Sequence, residues 1–396
     1  MTPSRPDPAS PFTFPIYLDN HATTPVDPRV LDAMLPYLTG KFGNAASNSH
    51  SFGWEAQSAV ASARAQIARL IGASAGEIIF TSGATESDNL ALMGVAQACR
   101  GKGDHIVTVV TEHKAVLDTC THLEKWGYKV TYLPVESDGR IDLNRLENVL
   151  TEGTILVSVM AANNETGVLQ PIEEIGKLCR TRGILFHSDA VQALGKVPLD
   201  VDRMNLNLAS LTAHKVYGPK GCGALYVRAD SGLKLAPMIH GGGHERGMRS
   251  GTLNVPGIVG FGKTCEIALE EMPEESCRIA GLRNRLRDKL LSELDGVMIN
   301  GGMEHRLPGN LNVSFLHVEG ETLMTGVKEI AVSSGSACSS DKVDLSHVLK
   351  ALGLSDERIT CAIRFGIGRF NTQEEIDYAA GRVVEAVKSL RELSPA

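Results

Sequence analysis

Thr154-Ile-Leu-Val-Ser-Val-Met-Ala-Ala-Asn-Asn-Glu-Thr-Gly167 is an apolar run that ends in a polar segment closed by glycine. The run falls well short of the roughly 20 residues that a bilayer span needs, and it suits a buried strand. The same alternation repeats outward from it. Ile172 to Arg182 has helical periodicity, and Ile184-Leu-Phe-His187 is another strand. Upstream, Glu77-Ile-Ile-Phe-Thr81, His105-Ile-Val-Thr-Val-Val110 and Lys129-Val-Thr-Tyr-Leu133 are strands, separated by helical stretches from Glu86 to Cys99 and from Val116 to Trp126. Alternating strands and helices predict βαβ units, hence an α/β fold whose mostly parallel sheet is covered on both faces.

A chain of 396 residues exceeds what one hydrophobic core usually organises, so two domains are expected. The texture changes near Leu253 to Phe261. A long helical stretch from Gly262 to Leu294, interrupted at Pro273, leads into Leu311–Leu316, Glu321–Val327, Leu345–Leu352, Ala362–Phe365 and a terminal helix from Gln373 to Leu393. The division expected is a loose arm over 1–15 holding five prolines, a large domain over 16–259 and a smaller α+β domain over 260–396. A net charge of -7 supplies no basic field for nucleic acid, and no apolar run is long enough for a membrane helix. The eight cysteines form no Cys-x-x-Cys pair and no zinc-like spacing. They are expected as reduced thiols in a cytoplasmic protein without a metal site, with Cys99, Cys120 and Cys179 serving as buried hydrophobes.

Ligands of such sheets bind beyond the carboxyl ends of the strands. Ser82-Gly-Ala-Thr-Glu-Ser87, Glu112-His113, Asn163 to Gly167 and Ser188-Asp-Ala-Val-Gln192 all follow strands and are expected to converge there. Ser82 to Ser87 opens a helix and offers free N–H groups to a phosphate, or it is simply an N-cap. Asp189 after a buried strand needs a cationic partner, such as a protonated cofactor ring nitrogen, or else caps a helix. His113 is a stacking or proton-moving histidine, or a satisfied one at a strand end. Arg364, between Ile363 and Phe365, holds a substrate carboxylate or belongs to a structural ion pair.

Ser210-Leu-Thr-Ala-His-Lys-Val-Tyr-Gly-Pro-Lys-Gly221 places one amine, Lys215, after an apolar run and between His214 and Lys220. Desolvation and nearby cations deprotonate such an amine, which makes Lys215 a candidate Schiff-base lysine. Ser333-Ser-Gly-Ser-Ala-Cys-Ser-Ser340 sets Cys338 among small polar residues, a poor place for a packing thiol and a suitable one for a reactive thiol. The loop from His240 to Thr252 is rich in glycine and basic residues, which favours anion binding or subunit contact over a metal.

Collected in order, from Tyr17-Leu-Asp-Asn-His-Ala-Thr-Thr-Pro25 to Ile363-Arg-Phe-Gly-Ile-Gly-Arg369, these stretches resemble the cysteine desulfurases, pyridoxal-phosphate enzymes of the class V aminotransferase group. The resemblance implies fold type I with a seven-stranded large-domain sheet. It implies conversion of L-cysteine to L-alanine, with the sulfur carried on Cys338 as a persulfide to an iron–sulfur scaffold or another acceptor protein. Lys215 would then hold the cofactor, Asp189 its ring nitrogen, Gln192 its phenolic oxygen and His113 its ring face. Ala84, Thr85, Thr212 and His214 would take the phosphate, joined by Thr252 from the other subunit of a homodimer. Asn44, Asn164 and Arg364 would place the substrate carboxylate. Thr212 stands where the family often has Ser, and the loop from Ser333 to Asp344 is similar to the family's longer type. A selenocysteine lyase or aminotransferase on the same scaffold is the alternative, and a non-catalytic sulfur-pathway scaffold is an alternative of another class.

Overall fold

The computed structural model describes residues 13–334 and 345–393; the expected arm over 1–15 lies almost wholly outside them, as does Cys338. The first part of the chain runs β1 (Ile16–Tyr17), α1 (Pro28–Leu38), α2 (Ser51–Leu70), β2 (Ile78–Thr81), α3 (Ala84–Ala98), β3 (His105–Val109), α4 (Lys114–Lys125) and β4 (Lys129–Leu133). It continues through α5 (Leu143–Val149), β5 (Thr154–Ser158), α6 (Ile172–Arg182), β6 (Leu185–Asp189), β7 (Leu208–Thr212), β8 (Gly223–Val227) and α7 (Val255–Glu293). The remainder is β9 (Val297–Ile299), β10 (Asn310–Phe315), α8 (Gly320–Gly326), β11 (Ile330–Ala331), α9 (His347–Ala351), α10 (Asp356–Thr360), β12 (Ala362–Gly366) and α11 (Gln373–Leu393).

Seven strands form one sheet in the order β2-β8-β7-β6-β5-β3-β4. Pairing is parallel except where β8 meets β2 and β7. Strand alternation separates its two faces. Val107 and Val109 join a core with Ile67 of α2, Ile175 of α6 and Phe261 of α7, whereas Ile106 joins Leu92 of α3 and Val116 of α4. Both faces are covered, as the near-continuous apolar strands require.

Strands β7 and β8 were not foreseen from sequence. The first lies inside the apolar run leading to Lys215. The second opens with Gly223-Ala224, and its place depends on a close approach, since a Cβ at Gly223 would lie 2.6 Å from Gly83 Cα. Glycine there lets the antiparallel strand lie against the turn that opens α3.

A second core gathers Leu286 of α7, Leu311 and Phe315 of β10, Phe365 of β12 and Val383 of α11. Its strands form an antiparallel sheet in the order β12-β10-β9 and a parallel pair β1-β11. Ile16 and Leu18 are buried in this second core, so the start of the chain packs with residues beyond 260. The expected boundary at 259/260 falls inside α7, which supplies Phe261 to the first core and Leu286 to the second. Nor does the helix begin at Gly262 or break at Pro273; it runs for 39 residues. Pro273 is exposed and follows the exposed Leu269 by four residues, so the carbonyl that loses its N–H partner faces water.

Candidate active site

The carboxyl ends of β2, β3, β5, β6 and β7 open onto a cavity of about 900 Å³, completed by Ser333, Leu345, Ser346 and Arg364 from beyond α7. Among its lining residues, α3 begins at Ala84 and Thr85, so the free N–H groups of a 15-residue helix face the cavity. Glu86 in the same turn is spoken for: it accepts from Ser82 N (2.8 Å) and pairs with Arg249 Nε (2.8 Å). That pair takes one charge of the basic loop 240–252. Glu245 of the same loop is also committed, to Arg64 (2.7 Å) and Phe80 N (2.8 Å).

Lys215 follows β7 by three residues and reaches into the cavity, where its Nζ donates to the carbonyl of His21. Burial draws its amine down to about 8; the Arg364 charge adds to this, while Asp189 and Asp19 oppose it. About a tenth of the amine is therefore neutral and nucleophilic at pH 7, far more than for an ordinary lysine. Asp189 ends β6, buried, with Oδ1 accepting only from Val191 N (3.0 Å). Burial pushes its carboxyl up, and among the described residues it forms no salt bridge.

His113 caps α4 and accepts from Ala115 N through Nδ1 (3.1 Å). Burial lowers its pKa, and a neutral ring that accepts at Nδ1 carries its proton on Nε2. Thr212 and His214 also line the cavity. Burial draws His214 down to about 4, with Lys215 and Lys220 adding to it, and its Nδ1 meets Thr23 Oγ1 at 3.1 Å.

Arg364 in β12 closes the opposite wall. Its Nη2 donates to Asp19 Oδ1 (2.8 Å) and its Nη1 to the carbonyl of Asn164 (2.9 Å), while its Nε is buried without a partner among the described residues. Both local alternatives for Arg364 thus meet in one side chain, which is ion-paired yet retains N–H groups for a carboxylate. Asn164 lines the cavity beside it.

Two expected residues do not join them. Asn44 is exposed, with Oδ1 taken by Ala46 N (2.9 Å), and Thr252 is exposed as well; neither lines this cavity.

Other residues of these motifs take part in the site without a distinctive signal of their own in the sequence. Asp19 holds Arg364, and His21 and Glu165 line the cavity. Glu165 accepts from Ser346 Oγ (2.5 Å), and burial raises its carboxyl to about 7. Glu112, adjacent to His113, is fully buried with Oε1 at Met160 N, and burial pushes it well up. Behind Asp189, His187 is bracketed by Ser158 Oγ (2.8 Å) and Ser210 Oγ (3.0 Å), and burial takes it down to about 3. A polar residue adjacent to a motif residue was the available signal.

These residues fit pyridoxal 5'-phosphate. Asp189 is a buried carboxyl, α3 presents free N–H groups to the same cavity, and Lys215 lines it with a depressed amine pKa. Among the described residues no cluster of three or more His, Cys, Asp or Glu could hold a metal ion.

A family model described as aminotransferase class-V matches residues 16–379. "Cysteine desulfurase IscS" of Anaeromyxobacter sp. (strain Fw109-5) is 60% identical over 381 residues, covering 96% of this chain and 94% of that protein. The protein of the same name from Rickettsia conorii (strain ATCC VR-613 / Malish 7) is 54% identical over 384 residues, covering 97% and 94%. A solved structure described as a NifS-like protein superposes with a TM-score of 0.88 at 41% identity, covering 94% of this chain and 99% of that one. Another, described as SspA in complex with cysteine, gives 0.80 at 38% identity, covering 90% and 100%.

Proposed function

We propose residue roles for a chain that belongs to the class-V aminotransferases and, within them, to the pyridoxal-phosphate-dependent cysteine desulfurases. The enzyme takes L-cysteine and passes its sulfur to acceptor proteins, iron–sulfur cluster assembly included. The observation that carries the assignment is the buried Lys215 amine, brought to about 8 in one cavity with Asp189 and the start of α3.

When bound, the cofactor supplies an electron sink for the substrate's α-carbon. Lys215 would hold it through its amine and Asp189 would hold its ring nitrogen as a cation. His113 would lie against the ring, and Gln192 would donate to the phenolic oxygen. Ala84, Thr85, Thr212 and His214 would take the phosphate. Arg364 orients the substrate carboxylate with its remaining N–H groups, assisted by Asn164, and its pairing with Asp19 keeps the guanidinium from swinging. The amine of Lys215, once free of the cofactor, would take the α-proton, and the Nε2–H of His113 could return one. Cys338 takes the sulfur as a persulfide, and L-alanine leaves. Ser333 and Leu345, on either side of the loop that carries Cys338, both line the cavity. From Ser334 to Cys338 is four residues, a reach of at most about 14 Å.

The same reading includes a homodimer, in which Thr252 of a second copy reaches the phosphate, and keeps Asn44 as a residue that would help place the substrate carboxylate. Exposed Leu35, Leu38, Phe42 and Trp54 on and after α1 and at the start of α2 support a protein contact there. A cytoplasmic location accords with seven free cysteines among the described residues. Among those residues, no helix is long and apolar enough to cross a membrane.

The test is an absorption spectrum before and after L-cysteine, with alanine and the Cys338 persulfide assayed in the same sample. A visible band that changes, with both products formed, is expected. Cys338→Ser should keep the band and lose the persulfide; loss of the band in that variant would sink the role given to Cys338. A band and alanine without persulfide in the unaltered protein would move the reaction to a lyase.

A further inference from the structure

The turn after β6 brings Gln192 and Lys196 together, four residues apart and closed by Lys196 N to the carbonyl of Ala193 (3.0 Å). Lys196 Nζ donates to Gln192 Oε1 (2.9 Å), and His21 Nδ1 lies 3.0 Å from the same oxygen. Gln192 Nε2 in turn donates to the carbonyl of His21 (3.0 Å). The stem of Lys196 keeps some exposure, but its amine is enclosed. It sits at a small cavity of about 30 Å³, shared with Asn20, Tyr217, Glu275 and His21, which has room for about one or two waters to take its other hydrogens. The charged groups around it are Lys215, Arg364 and Glu275, and Glu275 is already paired with Arg369 (2.7 Å).

An amide has two donor hydrogens and one acceptor oxygen, and this site uses them asymmetrically. Both acceptances at Oε1 are filled and one Nε2 hydrogen is used, which leaves a single N–H on a side chain that lines the main cavity. If the amide were flipped, Oε1 would face the carbonyl of His21, acceptor against acceptor, and Nε2 would face the Lys196 amine, which burial draws down to about 7 and which repels it wherever it is protonated. The arrangement also fixes the tautomer of His21. With Oε1 accepting, Nδ1 carries the proton and Nε2 is a bare acceptor, consistent with burial holding this histidine neutral.

We propose that Lys196 is a positioning residue that locks the Gln192 amide, so that its one uncommitted N–H faces the phenolic oxygen of the cofactor. The inference rests on the role given to Gln192 above. Lys196 touches neither substrate nor cofactor in this scheme; it acts only through Gln192.

The test compares Lys196→Met, Gln192→Leu and the double variant. Two readouts are taken on apoprotein refilled with pyridoxal phosphate: the dissociation constant of the cofactor and the pH midpoint of its visible band. Each single variant should weaken cofactor binding about tenfold and shift the midpoint the same way, the loss expected for one hydrogen bond. The double variant should be no worse than Gln192→Leu alone, because the two residues act as one unit. Additive effects, or a Lys196→Met protein indistinguishable from the unaltered one while Gln192→Leu shifts, would overturn the proposal. No shift in Gln192→Leu would instead remove the role given to Gln192 itself.

Lys196→Gln, one bond shorter and uncharged but still a donor, separates hydrogen bonding from charge. It should keep the original midpoint. A midpoint displaced as far as in the Met variant would assign the effect to the charge of Lys196 and refute positioning. If the Met variant does not fold, judged by the thermal midpoint of the apoprotein, the Gln variant carries the test through the same readouts.

Discussion

The floor and the rim of the cavity hold their functional groups by different means. On the floor, His113, Asp189 and Lys215 sit at strand ends of the large sheet, and burial is the first cause of every shift in their protonation. On the rim, Arg364 and Ser346 come from the part of the chain beyond α7 and are held by partners distant in the chain, Asp19 and Glu165. Burial sets protonation on the floor, whereas pairing fixes position on the rim, where the buried partner Glu165 is itself raised by desolvation. The floor should therefore respond to substitution in chemistry, and the rim in substrate placement and in pH dependence.

The largest expected effect lies on the floor. Lys215→Ala should cut alanine release by about a thousandfold or more, the scale of a lost acid–base group, and abolish the band of the covalently held cofactor. Its thermal midpoint without cofactor should not fall, because an amine already depressed by burial gives the fold little. A large loss of apoprotein stability would mean that the floor lysine is also structural, and the contrast with the rim would weaken.

Next comes a pH effect at the rim. Glu165 titrates at about 7 in the fold against an ordinary 4.5, so the fold favours the protonated form. Its contribution is complete below about pH 4.5 and is lost as pH rises through 7, by up to about 3 kcal/mol. Glu165→Gln has no such titration. Between pH 5 and pH 8 the unaltered protein should lose stability relative to the variant in paired thermal or urea melts. Parallel curves would show that Ser346 and Arg364 fully support the carboxylate.

Legibility in the sequence follows the same division. Strand alternation and the polar segments after each strand located the floor, because both signals are local and contiguous. β8 escaped because a glycine-opened antiparallel strand lacks the long apolar run of its parallel neighbours. The continuous α7 escaped because a proline is tolerated mid-helix where the orphaned carbonyl faces water, and exposure is invisible in sequence. Asp19 and Arg364 stand 345 positions apart, so no spacing could pair them. Lys196 carries no signal in the sequence, because only the fold encloses its amine.

The smallest of these effects concerns that distant pair. Asp19 holds one Nη2 hydrogen of Arg364, which both orients the guanidinium and competes for it. Asp19→Asn removes the charge but keeps an acceptor of the same length. If orientation dominates, KM for L-cysteine should rise about tenfold while kcat changes little, the signature of lost ground-state and transition-state binding in equal measure. The visible band should persist with its pH midpoint lowered, because the Asp19 charge is one of those that raise the Lys215 amine. A lower KM would show that Asp19 acts mainly as a competitor that the substrate must displace. The rim would then be a gate for the substrate carboxylate, whereas the floor would keep its fixed, burial-set character.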